Sequence, residues 1–169
     1  MDADDISQII FLLILLALSA FFSSSETALT TVNKIRMRTL AEAGNTKAKK
    51  VLKVTENSPK MLSAILIGNN IVNLSASSLT TSLAIKLFGS VGAGVATGIL
   101  TFLILIFGEV SPKTLATIKA DKISLSIAGF ISVLMVVLTP VIFIINKLSL
   151  GVISVSYTHL RAHETCADL

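Results

Sequence analysis

The chain has 169 residues, 53% of them hydrophobic and none of them tryptophan, with a mean hydropathy of +0.84; these values exclude an ordinary soluble domain and make lipid the main solvent. Its 14 basic against 10 acidic residues give a net charge of +4, but eight of the fourteen bases fall between Lys34 and Lys60, so the surplus reads as a membrane-topology signal and not as a nucleic-acid surface. A single cysteine, Cys166, excludes an intramolecular disulfide.

The first element, Ile6 to Leu29, is apolar apart from Ser7, Gln8, Ser19 and the run "SSSET", and at about 1.5 Å per residue it spans a hydrocarbon core of about 30 Å. Asp2, Asp4 and Asp5 precede it without a base, which argues against a cleaved signal peptide and keeps the segment in the mature fold. Residues 32–57 then set Ile35, Leu40, Val51, Leu52 and Val54 among bases, a pattern that predicts two short amphipathic helices on the membrane surface, divided near Gly44 and Asn45. Pro59 suits the first turn of a second span over 61–88. After a turn at Gly89 to Gly94, a third span over 91–111 closes at "GEVSPK", where Gly108 and Pro112 discourage a regular helix. The last apolar stretch, Ile123 to Leu150, is interrupted by Pro140 and either crosses or kinks into the interface. The fold class is therefore all-α integral membrane. The positive-inside rule puts the basic insert, Lys113, Lys119 and Lys122 in the cytoplasm and the N-terminus outside.

Counting depth along these spans, Ser23 to Glu26, Asn69 to Asn73 and Gly108 to Glu109 all fall between midplane and inner face. An ionisable group in a bilayer costs about 3 kcal/mol or more, so Glu109 is expected to face the bundle interior or an ion pathway. Pro112 has no N–H to offer the Gly108 carbonyl, and glycine admits a ligand close to the backbone. Asn69 and Asn73 share a helix face. Ser23 and Ser25 lie about 200° apart on an ideal helix, so both serve one site only if the helix is distorted. Hydroxyl, amide and peptide oxygens with one carboxylate select hard cations: magnesium, calcium, manganese or sodium. Plainer roles stand beside these: serines and asparagines glue membrane helices, Glu26 can pair with Lys34 or Lys113, and "GVATG" is a close-packing pattern.

"FFSSSETAL", "GNNIVN" and "FGEVSPKTLA", in this order on three successive spans, resemble the transmembrane domain of the CNNM/CorC magnesium transporters, formerly described as hemolysin-related. The resemblance covers about residues 5–150. It implies a homodimer with three spans per subunit, a cytoplasmic amphipathic belt, a kinked interfacial helix over 121–149, and sodium-linked export of magnesium from the cell membrane. It also implies a metal site of Ser23, Ser25, Asn69, Asn73, the Gly108 carbonyl and Glu109, with Pro112 shaping the turn and Lys113 beneath it.

The sequence departs from the family after "INKLSLG", where a linker and a nucleotide-binding CBS pair are expected and "VISVSYTHLRAHETCADL" follows instead. That change of composition reads as a truncated frame or a cloning scar; His159, His163 and Cys166 only sketch a zinc site. Two other function classes compete with transport. A non-transporting anchor or ion-sensing domain would work through Gly94, Gly98 and the belt. An intramembrane hydrolase using Ser25 lacks a base at matching depth, so no enzyme activity is expected.

Overall fold

The computed structural model describes residues 3–145 together with 147 and 148; the tail over 151–169, with His159, His163 and Cys166, lies outside them. Among the described residues the chain is helical throughout, without strands. A long helix, α1 (Ala3–Thr31), is followed by α2 (Lys34–Glu42) and α3 (Thr46–Glu56), then by α4 (Ser58–Ile104), a π-helical turn (Leu105–Val110), α5 (Ser111–Ile118) and α6 (Ala120–Val137).

Asparagine sets the start of three helices, because its side-chain oxygen accepts from first-turn N–H groups that have no partner within the helix. Asn33 caps α2 through Arg36 N–H, Asn45 caps α3 through Lys47 and Ala48, and Asn57 caps α4 through Lys60. Gly44, at φ 92°, makes the turn between α2 and α3. The expected reversal over 89–94 is tighter than a six-residue turn: Gly89 alone leaves helical geometry, at φ 67° and ψ 179°, a conformation that side-chain-bearing residues rarely adopt. A Cβ on Gly92 would lie 2.9 Å from Phe88 Cβ, so the two limbs close directly on each other.

Among the described residues four helices are long and apolar enough to cross a membrane: Asp4–Thr31, Ser58–Ser90, Gly92–Ile118 and Ala120–Val137. The fourth belongs to the stretch expected in the interface. Its helix breaks at Leu138 (φ −85°, ψ 0°), two residues before Pro140, and resumes over 139–145.

Apolar residues are distributed to suit lipid. Phe11, Leu13, Ile71, Leu74, Phe102, Phe107 and Val133 are exposed on the outside of the bundle, while Ser19, Ser23, Ser25 and Asn69 are buried. The compact apolar core lies at the other extreme, where the basic insert folds back: Leu29, Met37, Val51, Met61, Ile65 and Ile131 are fully buried there. On α3 the buried positions Ala48, Val51, Val54 and Thr55 form one stripe, and its lysines point away, as an amphipathic helix requires.

The α1–α4 seam runs antiparallel in a fixed register. Lys86 pairs with Asp5 near the start of α1, and Ser19 meets Asn73 farther along; fourteen residues along α1 therefore match thirteen back along α4. Two consecutive phenylalanines seat α1, one against α4 and the other against α6. Phe22 lies against Gly68, where a Cβ would come within 2.7 Å of its ring, and Phe21 packs edge-on against Phe130 of α6 with centroids 5.1 Å apart. A substituted Gly68 would push Phe22 outward and shift the helices.

Candidate cation site

Ser19 is the hub of the polar layer. Its hydroxyl donates to Asn73 Oδ1 at 2.7 Å and stands 3.4 Å from the Gly108 carbonyl oxygen. One hydroxyl proton cannot serve both fully, so the Gly108 oxygen keeps capacity for another partner. Three helical segments meet at this point: α1, the first limb of α4, and the π-helical turn.

One turn farther along each helix, about 6 Å away, the seam register brings Ser23 to the level of Asn69. Ser23 is 0% exposed. Its Oγ and Asn69 Oδ1 are both buried without a hydrogen-bond partner. Buried polar atoms are nearly always satisfied, and each exception costs about 1–3 kcal/mol, so two at one level of one seam mark a candidate position for a ligand.

The third wall follows from Pro112. Because proline has no N–H, the Gly108 carbonyl lacks the α-helical donor four residues on. The helix widens here: the Ser111 N–H reaches back five residues to the Ile106 carbonyl. Such single π-turns re-aim backbone and side chains and are frequent at functional sites. Gly108 is buried against α1, where an added Cβ would stand 3.0 Å from Leu16 Cδ1 and 3.1 Å from Ser19 Oγ. Glycine is what allows this carbonyl to reach the serine.

The carboxylates lie beside this layer. Lys113 Nζ is 3.1 Å from Glu109 Oε1, one turn earlier on its own helix, and 3.6 Å from Glu26 Oε2 on α1. One ammonium thus holds two acids from two spans. Among the described residues no three His, Cys, Asp or Glu side chains gather as a metal-binding group, so any cation here must draw on neutral oxygens with at most this pair of carboxylates.

The family model described as "Cyclin M transmembrane N-terminal domain" matches residues 9–165. The chain belongs to the CNNM family. Curated relatives agree: it is 44% identical over 147 residues to a UPF0053 protein of Haemophilus influenzae, covering 86% of this chain and 35% of the relative. It is 39% identical over 132 residues to the UPF0053 inner membrane protein YfjD of Escherichia coli, covering 78% and 31%. A chloroplastic DUF21 domain-containing protein of Arabidopsis thaliana is 34% identical over 149 residues, 88% of this chain and 22% of its own length. The chain spans about a third of the two bacterial relatives.

Within this CNNM domain, Asn73 and Gly108 are brought together directly through Ser19, and the seam register puts Ser23 and Asn69 at the adjoining level. Glu109 is turned to Lys113. Ser25 is fully buried but donates to the Phe21 carbonyl at 2.6 Å on its own helix, and α1 runs unbroken through it, without the distortion that would bring it round beside Ser23. Glu26 meets Lys113, one of the two partners its position suggested. Ser19 was absent from the predicted ligand set, although its i, i+4 spacing from Ser23 puts both on one face.

Proposed function

We propose that this chain is the membrane domain of a divalent-cation transporter, a magnesium exporter coupled to sodium, and not an enzyme. It works as a homodimer in the cell membrane, with three crossings per subunit, the N-terminus outside, the basic insert in the cytoplasm and the last helix in the interface. One observation carries the reading: Ser23 Oγ and Asn69 Oδ1 are buried and unpartnered beside an oxygen cluster of Ser19, Asn73 and Gly108.

Such donors suit a hard cation that has shed part of its water and keeps the rest. Ser23, Asn69, Asn73 and the Gly108 carbonyl supply neutral oxygens, Ser25 joins if α1 distorts, and Glu109 supplies charge. Magnesium entry draws Glu109 from Lys113, whose ammonium remains with Glu26, already 3.6 Å away. The cation therefore exchanges with an internal positive charge, which keeps the layer from holding unpaired carboxylates at any stage. Alternating access then exposes the layer to each side in turn.

Magnesium-dependent thermal stabilisation of the detergent-purified protein, compared with calcium, manganese and sodium, tests the site. Glu109→Gln is expected to weaken the magnesium response strongly while leaving membrane assembly intact. Unchanged magnesium affinity in that variant refutes the assignment. Magnesium efflux from reconstituted vesicles separates a transporter from a non-transporting anchor.

A further inference from the structure

We propose that the junction of α1, α2, α5 and α6 binds the phosphate headgroup of an anionic phospholipid. A cleft of about 520 Å³ opens there. Its location is set by the ends of two apolar helices: Thr31 closes α1 and Ile118 closes α5, and both line the cleft. The cleft is therefore at the boundary between hydrocarbon and headgroups, on the face marked by the basic insert.

Its charge is unbalanced. Arg36, Lys119 and Lys122 line it against a single acid, Asp121. That acid is already used: one oxygen takes Arg36 Nη1 at 2.9 Å and the other accepts the Asn33 N–H at 3.2 Å. Among the described residues Lys119 and Lys122 have no ion pair or hydrogen bond through their side chains. Two ammonium groups thus stand free around a cavity that would accept a phosphate.

The rim is apolar as well as basic. Ile118, which lines the cleft with Leu40 and Leu125, is 75% exposed. A free phosphate needs only the cations and gains nothing from these side chains. An anionic phospholipid uses both, with its phosphate between the lysines and its glycerol and upper acyl carbons over Ile118 and its apolar neighbours. Basic pockets between membrane helices at this depth are suited to such headgroups. This assignment does not depend on the cation site.

The test titrates the detergent-purified full chain, in mixed micelles, with dioleoyl phosphatidylglycerol or dioleoyl phosphatidylcholine and reads the melting temperature. Phosphatidylglycerol should stabilise the protein at concentrations where phosphatidylcholine does not. In the double variant Lys119→Gln/Lys122→Gln its apparent affinity should fall about 30-fold, from the strength of two lysines near an anionic surface. The variant Lys47→Gln/Lys49→Gln removes equal charge from an exposed face of α3 and should respond as wild type. Inorganic phosphate at matched concentration should give no shift. The proposal is overturned by equal stabilisation from phosphatidylcholine, by undiminished binding in the Lys119/Lys122 variant, or by an equal loss in the Lys47/Lys49 variant. A full response to inorganic phosphate alone also overturns it, and identifies a soluble-anion site.

Discussion

Replacing Ser23 by alanine separates a ligand from a structural hydrogen-bonding group, because the two roles predict opposite signs. The Ser23 hydroxyl is 0% exposed and its oxygen has no partner. Deleting it removes a buried, unsatisfied group and leaves the backbone and Cβ in place. Relief of that penalty is worth about 1 kcal/mol, the low end of the range for an orphaned polar atom, which corresponds to a rise of about 2–4 °C in the melting temperature of a chain this size. With magnesium the sign reverses, since one of the neutral oxygens is gone: the magnesium-induced rise should shrink and the apparent affinity should drop about tenfold for each 1.4 kcal/mol of lost coordination. Differential scanning fluorimetry in detergent, with chelator and across a magnesium titration, reads both effects from one preparation. A lower melting temperature in chelator would mean that Ser23 makes a structural bond. An unchanged magnesium response would mean that it is not a ligand, and either result refutes the reasoning.

Gly108→Ala should displace the π-helical turn from α1, since its Cβ would stand 3.0 Å from Leu16 Cδ1 and 3.1 Å from Ser19 Oγ. Overpacking of this kind costs about 1–3 kcal/mol, and loss of the magnesium response should accompany it. Gly94→Ala, with nothing within 4 Å of its Cβ, should be neutral or slightly stabilising and serves as the control in the same melts. Lys113→Met removes the ammonium that competes for Glu109. Partly exposed ion pairs contribute up to about 1 kcal/mol, so magnesium affinity should rise roughly fivefold, measured by calorimetric titration; weaker binding would show that Lys113 helps to build the site.

The residues that approach one another were legible before their contacts were. Asn69 and Asn73 announce a shared face by their spacing, and Pro112 announces a freed carbonyl at Gly108 by simple absence of an N–H. Depth counting also put the polar groups of three spans at overlapping levels, and the Ser19 contacts to Asn73 and Gly108 connect those spans at one level. Helix periodicity, however, defines a face only relative to its own axis. It carries no information on which neighbour that face meets, so Ser19 went unremarked as the hub and Glu109 was not assigned to Lys113 as its partner.

Sequence alone determined the all-helical membrane character and the amphipathic insert, and it predicts hard-oxygen chemistry for the candidate site, because hydropathy, periodicity and ligand hardness are properties of residues and their spacing. Only the tertiary structure decided the rotation and register of α1 against α4. That choice rests on shape: the Phe22 ring fits only where Gly68 leaves room, and Phe21 fits against Phe130. Once those rings are seated, Ser23 and Asn69 come to one level of the seam with both oxygens buried and unpartnered, and Lys113 stands between Glu26 and Glu109.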